Sequence, residues 1–260
     1  MQPSQPNHHA TREGSCPVHG AFTSRSLLEG RIWSGCPGCD QQAEADRQAA
    51  IAARQARELA ERTQRRIEVS GLQGRFLRAT FDSFVVSRPE QQHALTICRD
   101  FAEDFDASAG GGLWLIGPPG TGKTHLASAV VGHLIRERQT SARIHAVHEL
   151  MTMARARIGG RSKPWDGDDE SPDDFIEHLA RVPLLVLDEV GVSRGSDWEA
   201  ERLFALVDGR YKAELPTLVV SNLPTSALTE ELGHRVFDRL REGARPVPMS
   251  WPSHRGPVAA

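Results

Sequence analysis

The sequence predicts an α/β fold, in which a parallel sheet is flanked by helices. Three features lead to this prediction. Apolar runs of strand length alternate with helical patterns from about residue 75, a glycine-rich loop joins one such strand to a helix, and two carboxylates follow another apolar strand. Strands that alternate with helices form parallel sheets, because each crossover helix packs on a face of the sheet. We expect helices on both faces.

The individual elements follow from hydrophobic periodicity. A short apolar run fits a buried strand, whereas apolar residues at i, i+4 and i+8, as at Leu126, Val130 and Leu134, fit one face of a helix. The predicted strands cover 113–116, 143–147, 184–187 and 217–220, and the predicted helices cover 122–138 and 197–212. An acidic insert at 166–174 interrupts the alternation and is predicted to be a mobile loop.

Composition and charge narrow the class of protein. A chain of 260 residues that is 39% hydrophobic suits one ordinary domain with a smaller appendage. No apolar stretch approaches the roughly 20 residues of a membrane span, and the polar N-terminus lacks a signal region. We therefore expect a soluble, cytoplasmic protein without a membrane partner. The net charge of −3 gives no global signal for nucleic acid, although it is compatible with a local basic patch.

A phosphate-binding loop follows the first predicted strand and precedes a predicted helix. The loop consists of Gly117, Pro118, Pro119, Gly120, Thr121, Gly122, Lys123 and Thr124. Its glycines let backbone N–H groups turn inward around phosphate oxygens, and the positive end of the helix dipole adds to this attraction. Lys123 is expected to reach the β and γ phosphates of ATP, and Thr124 to offer its hydroxyl to Mg²⁺. The alternative is a glycine-rich turn that binds nothing.

Polar residues at two further strand ends complete the predicted site. Asp188 and Glu189 follow the apolar run 184–187, and Asn222 follows the run 217–220. The carboxyl ends of strands in an open α/β sheet form its ligand-binding edge. Asp188 is expected to hold the Mg²⁺ shell, Glu189 to polarise the attacking water, and Asn222 to hydrogen-bond the γ phosphate or that water. The acidic pair also fits a helix start, and Asn222 also fits an ordinary turn.

Two residue pairs near the N-terminus have the spacing of zinc ligands. Cys16 and His19 form one pair, Cys36 and Cys39 form the other, and two residues separate the members of each pair. Zn²⁺ takes four nitrogen or sulfur ligands in a tetrahedron, which two such turns supply. The segment has too few large apolar residues to fold unaided, so the metal would supply the folding energy. The alternative is reduced thiols in a disordered tail, whereas Cys98 is expected in the core.

With these residues in hand, the chain resembles the bacterial and phage replicative helicase loaders of the DnaC family, which are AAA+ ATPases. The resemblance spans roughly residues 76–256 in the order of its motifs. The motifs that carry it are Phe81 to Phe84, Gly117 to His125, Asp188 to Gly191, Asn222, Leu232 to Leu240 and Trp251 to Arg255. A variant of the family also looks like it carries a cysteine-rich N-terminal zinc module.

The resemblance implies roles for further residues and for partners. An N-terminal module would grip the hexameric helicase, while a C-terminal ATPase would bind single-stranded DNA and self-associate. The nucleotide-binding set extends to His125, Arg239 falls at the family's arginine finger, and Arg255 falls where a second arginine senses nucleotide in the same subunit. Arg235 stays open as an alternative finger, because it also fits an ion pair with Glu231 on its own helix.

The candidate DNA contact is a short basic cluster with one aromatic residue. The cluster contains Arg155, Arg157, Arg161 and Lys163. Trp198 falls where the family has an aromatic residue near DNA, and a base stacked on tryptophan contributes about 1–3 kcal/mol. The cluster also fits a solvated face, and Trp198 also fits a helix start behind a capping box at Ser196 and Glu199. The chain departs from the family at the acidic insert and at His234, where an acidic residue is expected.

Four segments are predicted along the chain. They are a disordered tail at 1–14, a zinc-binding module at 15–40, a helical linker at 41–68 and an AAA+ ATPase domain at 69–260. The linker is rich in Ala, Gln, Arg and Glu, and it fits either a solvated spacer or a partner-binding helix. About forty residues follow Ser221, so the helical lid of AAA+ proteins is expected to be largely missing.

Three functions remain open on this basis. The first is an ATP-dependent loader of the replicative helicase. The second is a transposition helper ATPase, which similar sequences also serve and against which the zinc module argues. The third is a zinc adaptor whose nucleotide site acts as a slow switch. A small-molecule kinase would need substrate-binding lid residues, which we do not find in the sequence.

Overall fold

The protein divides into two compact units, residues 1–62 and residues 63–260. The structure is a computed structural model, and it describes residues 10–27, 31–158, 171–191 and 195–254. Within these ranges, no helix combines the length and the apolar character that crossing a bilayer requires.

The first unit begins with a β-hairpin. Strand β1 (Thr11–Cys16) pairs antiparallel with β2 (Gly20–Arg25), and Cys16 lies opposite Gly20. The expectation of disorder at 1–14 is therefore wrong for residues 11–14, while residues 1–9 lie outside the described residues. The polar sequence of β1 did not reveal the strand, because hydrogen bonds to β2 rather than an apolar pattern hold it.

A long solvated helix follows the hairpin. Helix α1 (Pro37–Glu68) has no buried residue over its 32 positions. Charged pairs one turn apart join Arg54 to Glu58 and Arg57 to Glu61, each at 2.9 Å. Such exposed pairs contribute only about 0.2–0.5 kcal/mol each, so helix propensity carries most of the local stability. Residues 39–62 of α1 are exposed to water, whereas Ile67 in its last turn packs against apolar core residues.

The second unit alternates strands and helices as expected. Its helical elements are α2 (Pro89–Glu103), α3 (Lys123–Arg136), α4 (Val147–Ala156), α5 (Pro172–Ala180), α6 (Asp197–Lys212), α7 (Thr225–Leu232) and α8 (His234–Arg241), with a 3₁₀ turn at Gly74–Arg78. Its strands are β3 (Gly112–Ile116), β4 (Ala142–Ala146), β5 (Leu184–Asp188), β6 (Thr217–Ser221) and β7 (Ala244–Pro248). They form one sheet in the order β4-β5-β6-β3-β7, and all neighbours are parallel. The predicted fold class is confirmed.

Alternate residues of each central strand pack on opposite faces of the sheet. On β3, Leu113 and Leu115 join the core beneath α2 and α3, whereas Trp114 joins the core beneath α4, α5, α6 and α8. Helices thus cover both faces, which confirms the layered arrangement. Burial on both faces explains why these strands are continuous apolar runs rather than alternating ones.

Strand β7 was missed from the sequence. Its residues Ala-Arg-Pro-Val-Pro contain one buried side chain, Val247, and two prolines that cannot donate backbone hydrogen bonds. Proline is tolerated in a sheet mainly at an edge, and β7 is the edge strand next to β3. The pairing partner, rather than any local pattern, decides its conformation.

Two predicted element boundaries also need correction. Val147, predicted to end a strand, begins α4 instead. At the acidic insert, Ser171 and Asp174 form a capping box at the start of α5, so residues 171–174 are not part of a loop. A capping box satisfies two backbone N–H groups reciprocally, and this local chemistry fixes the helix start. Residues 166–170 lie outside the described residues.

A buried arginine joins the ends of several elements on the α5–α6 side. Arg210 on α6 is 1% exposed, and its guanidinium donates to Thr217 Oγ1 at 2.9 Å and to the carbonyl of Val182 at 2.6 Å. Further donations reach the carbonyls of Leu179, Ala180, Pro183 and Pro216. Burial lowers the pKa of Arg210 to about 9. The five N–H groups of the planar guanidinium suit a ring of carbonyl acceptors.

Candidate functional site

The predicted nucleotide residues meet in one cleft at the carboxyl edge of the sheet. The loop from Gly117 to Thr124 joins β3 to α3, and the cleft above it has a volume of about 440 Å³. The predicted residues that line it are Pro119, Gly120, Gly122, Lys123, Thr124, His125, Asp188, Glu189 and Asn222. The strand ends of β5 and β6 bring the last three beside the loop, although they are far apart in sequence.

Lys123 lies within the loop that it is expected to serve. Its side chain is buried, and Nζ donates to the carbonyls of Gly117 at 2.7 Å and Pro118 at 2.8 Å. The residue before it, Gly122, has a φ of 93°, a left-handed conformation that glycine adopts without strain. A Cβ at Gly122 would also lie 2.6 Å from the Phe84 ring. The loop is therefore held by contacts on both sides.

Asp188 and Thr124 form the predicted magnesium pair. Asp188 is 8% exposed and accepts hydrogen bonds from the Glu189 backbone N–H at 2.7 Å and from the Thr124 side chain. Burial raises the pKa of the Asp188 carboxyl above its usual range. A buried carboxylate beside a hydroxyl is a donor set of hard oxygens, which Mg²⁺ prefers. The residues thus fit the ion that accompanies ATP.

Glu189 sits in a strained conformation at the mouth of the cleft. Its φ is 55°, which is uncommon for a residue with a side chain and recurs at functional sites. Its carboxylate lies 3.5 Å from Nδ1 of His148, at the start of α4. The sequence did not point to His148, because the contact depends on where β4 ends relative to β5.

A second group of residues on the cleft wall was missed from the sequence. Arg75, Phe76 and Arg78 of the 3₁₀ turn line the cleft, and the Arg75 guanidinium lies 4.9 Å above the Phe76 ring. Residues three apart share a face of a 3₁₀ turn, so both arginines reach the same side. The spacing of the two arginines was the only signal available in the sequence. His125 Nε2 lies 3.0 Å from the Thr80 carbonyl and joins this wall to α3.

Of the two arginines predicted for the nucleotide site, Arg239 lies within the described residues and Arg255 does not. Arg239 on α8 does not line the cleft of its own chain. Its Nε donates to Asp208 on α6 at 2.7 Å, and its guanidinium lies 4.9 Å from the Phe204 ring. Arg255 lies outside the described residues, although His254, which precedes it, lines the cleft.

Two of the predicted DNA residues, Arg155 and Trp198, lie together at the helix start of α6. Arg155 lies 5.5 Å from the Trp198 ring and pairs with Glu199 at 3.1 Å. Arg202 lies 5.3 Å from the same ring. Arg157 turns instead toward α5, where its guanidinium lies 3.9 Å from the Phe175 ring. The capping box at Ser196 and Glu199 is formed, and Arg161 and Lys163 lie outside the described residues.

The four predicted zinc ligands converge in the first unit. The ligand atoms of Cys16, His19, Cys36 and Cys39 all lie within 4.8 Å of one another. Cys16 Sγ is 3.4 Å from Cys39 Sγ and 3.8 Å from His19 Nδ1. Ligands of a tetrahedral zinc lie about 3.3–3.8 Å apart for zinc–ligand distances of about 2.0–2.3 Å, so the cluster fits this ion.

The chemistry of the thiols also fits a cation. Backbone hydrogen bonds at His19 and Val18 lower the pKa of the Cys16 thiol to about 6, while the hydrogen bond with Cys16 raises the pKa of the Cys39 thiol to about 11. A thiolate is the form of cysteine that binds metal. A Cβ at Gly38 would lie 2.7 Å from the His19 ring, so the missing side chain lets the start of α1 approach the histidine.

Comparison with known proteins agrees with this geometry. Residues 41–255 match the family model described as IstB-like ATP binding protein. The replicative helicase loader DnaC of Escherichia coli strain K12 is 31% identical over 196 residues, which cover 75% of this chain and 76% of that protein. YdaV of the same strain is 29% identical over 240 residues, which cover 92% of this chain and 89% of that protein.

A solved structure has the same fold. The crystal structure of the DnaC helicase loader superposes with a TM-score of 0.59 at 24% identity, and the match covers 68% of this chain and 99% of that one. The parallel five-stranded sheet and its flanking helices are the fold that the chain shares with that structure. From its family match and its identity to DnaC, the chain belongs to the IstB-like ATP binding protein family, together with the DnaC helicase loaders.

Proposed function

We propose that this protein is a cytoplasmic, ATP-dependent loader that places a hexameric replicative DNA helicase on single-stranded DNA at the initiation of replication. The observation that carries the proposal is a cleft that brings the phosphate-binding loop together with Asp188, Glu189 and Asn222. It lies on a chain whose relatives are named helicase loaders over three quarters of its length. The alternative of a transposition helper ATPase predicts the same cleft, so the helicase partner is the feature to test.

The chain's own residues suit ATP hydrolysis. Lys123 neutralises phosphate charge, Thr124 and Asp188 supply oxygen ligands for Mg²⁺, and Asn222 at the end of β6 offers an amide to the γ phosphate or the water. Glu189 reaches the cleft mouth, where its carboxylate can orient a water molecule. Arg255 follows a residue that lines the cleft, which supports its role as a nucleotide sensor.

The first unit is suited to contact with the helicase. Cys16, His19, Cys36 and Cys39 would hold one zinc ion, which would stabilise the hairpin and the start of α1. Val18 at the hairpin turn is 76% exposed, and Leu27 is 61% exposed. Exposed apolar side chains on a small module that is held together by a metal suit protein recognition. In the proposed domain division, residues 41–68 of helix α1 serve as a solvated linker.

Single-stranded DNA would meet the cluster around Trp198. An aromatic face between Arg155 and Arg202 resembles the stacking platforms of sequence-tolerant DNA binding. Arg157, whose guanidinium packs on the Phe175 ring of α5, would add a further positive charge that can neutralise a phosphate.

The first test concerns ATP. We expect Lys123→Ala to abolish tight ATP binding, because it removes the charge that faces the β and γ phosphates. Glu189→Gln is expected to bind ATP like the parent and to lose hydrolysis, because the amide cannot polarise water. Fluorescent-nucleotide titration and phosphate release measure the two steps. Hydrolysis by Glu189→Gln at the parental rate would refute the role of Glu189.

The second test asks whether binding of the helicase depends on zinc. Cys36→Ser should lose the single zinc ion, measured by elemental analysis, and with it the binding of the hexameric replicative helicase of the same cell, while ATP binding remains. Cys98→Ala is the matched control, because Cys98 is a buried thiol on α2. A parent protein that binds no helicase in the presence of ATP would contradict the loader proposal and favour the transposition helper.

The third test concerns DNA. Trp198→Ala should weaken binding to single strands about tenfold, since one stacked base contributes about 1–3 kcal/mol, and should weaken duplex binding less. Arg157→Ala should reduce the slope of log K against log salt by about 0.7, the value for one phosphate contact on a single strand. Arg47→Ala on α1 removes a like charge elsewhere and should leave the slope unchanged. If neither Trp198→Ala nor Arg157→Ala alters binding, the DNA contacts other residues.

The fourth test asks whether Arg239 completes a neighbour's site. Lys123→Ala keeps this arginine and loses its own site, whereas Arg239→Ala keeps its site and loses the arginine. Each should be nearly inactive in DNA-stimulated hydrolysis, and a mixture should recover part of the activity if copies self-associate. The physical reason is that an arginine finger stabilises charge on the transferring phosphoryl group and a neighbour can supply it.

Two control variants separate this role from support of the fold. Asp208→Asn removes the carboxylate charge that pairs with Arg239 but keeps the guanidinium, so activity should persist. Arg241→Ala removes a neighbouring, exposed arginine of α8 and should also retain activity. If the mixture shows no recovery although co-assembly is demonstrated, Arg239 acts within its own subunit or only supports α8.

A further inference from the structure

A short segment after β7 runs directly along the phosphate-binding loop. We call residues 249–254 the strap. The strap begins where the backbone N–H of Met249 donates to the carbonyl of Ile116 at 2.7 Å, which extends the pairing of β7 and β3 to the start of the loop. Trp251 then turns into the core and is 4% exposed. The strap contributes no residue to the roles assigned above.

Two successive carbonyls of the loop accept hydrogen bonds from the strap. Trp251 Nε1 donates to the carbonyl of Thr121 at 2.9 Å. The backbone N–H of His254 donates to the carbonyl of Gly120, also at 2.9 Å. The first bond is buried, so its loss would leave the Thr121 carbonyl without a donor in a place that excludes water.

The strap packs directly against the loop. A Cβ at Gly117 would lie 2.2 Å from the carbonyl oxygen of Met249, and a Cβ at Gly120 would lie 2.0 Å from Ser253 Oγ. The glycines of the motif therefore have a second purpose besides backbone freedom. They allow the strap to pack directly against the backbone of the loop.

The planar peptide bond transmits this contact from the loop carbonyls to the N–H groups that follow them. All described peptide bonds are trans, so each carbonyl and the next N–H point in opposite directions. Fixing the carbonyls of Gly120 and Thr121 on the strap side consequently fixes the N–H groups of Thr121 and Gly122 on the other side. Those are the donors that a phosphate-binding loop offers to its ligand.

We propose that Trp251 is a positioning residue for the nucleotide phosphates, because its indole N–H holds the Thr121–Gly122 peptide with its N–H directed to the ligand. The inference rests on the proposed binding of ATP at this loop. Lys123 occupies the neighbouring carbonyls of Gly117 and Pro118, and it is the group that turns to the phosphates. When Lys123 turns to the phosphates, its bonds to the loop carbonyls are lost and the strap contacts still hold the loop.

The experiment compares two buried tryptophans whose indole N–H groups each donate to a backbone carbonyl. Trp251→Phe keeps an aromatic ring and removes the donor. Trp114→Phe is the matched control, since Trp114 is 3% exposed and its Nε1 donates to the carbonyl of Leu240 at 3.1 Å, away from the loop. We expect both variants to lose similar thermal stability, measured without nucleotide. Only Trp251→Phe should weaken the affinity for ATP and ADP. The expected loss is about tenfold, because the buried Thr121 carbonyl loses its hydrogen-bond donor.

A second pair of variants covers the case in which Trp251→Phe does not fold. His254→Pro removes the backbone donor to Gly120, whereas His254→Ala retains it, so the proline variant should bind ATP about tenfold more weakly than the alanine variant. If Trp251→Phe and Trp114→Phe both bind ATP within about twofold of the parent, Trp251 only packs in the core and the inference is wrong. If the parent itself does not bind ATP, the proposed function fails instead.

Discussion

The arrangement of the whole site depends on the parallel pairing of β3 with a strand on each side. Close approach makes this pairing possible: a Cβ at Gly112 would lie 1.9 Å from the carbonyl oxygen of Thr217, and one at Gly111 would lie 2.3 Å from that of Gly243. With β6 and β7 in register beside β3, all three strands end at one edge. That edge places the loop, Asn222 and the strap next to one another, so the glycines at the start of β3, Gly111 and Gly112, matter as much as those in the loop after it.

The charges of the cleft form a complementary set. Lys123, Arg75 and Arg78 line the cleft, which suits a polyanion, and Asp188 and Glu189 line it as well, which suits a cation. Burial raises the pKa of Asp188, because an isolated carboxylate in a partly dry site is unfavourable. A divalent cation beside the triphosphate removes this penalty. Cation and nucleotide therefore favour each other's binding in a cleft of this composition.

The two units of the chain rely on different sources of stability. Residues 63–260 bury two apolar clusters on the faces of a sheet, and Arg210 satisfies a ring of carbonyls where α5 and β6 meet. In residues 1–62, two of the four cluster residues, Cys16 and Cys36, are buried, whereas α1 buries nothing. A small unit with so little apolar burial would gain its stability from a metal held by the proposed zinc ligands. The proposed loader would then lose its helicase contact, but not its ATPase fold, when zinc is removed.

The sequence alone determined the parts of this protein that local chemistry dictates. The loop 117–124, the carboxylates after β5 and the two ligand pairs are short motifs whose spacing follows from the geometry of phosphate or zinc. The alternation of apolar runs likewise determined the fold class, because buried parallel strands need apolar side chains on both faces. The structure confirmed the fold class and brought those residues together.

Only the tertiary structure decided the contacts between distant segments. Strand β7, the bond from Trp251 to Thr121, the pair of His148 with Glu189 and the partner of Arg239 each join residues that are far apart in the chain. None has a local signature, since a hydrogen bond across the fold depends on how the sheet aligns its strands. Local periodicity cannot encode that alignment, which follows from packing of the entire sheet.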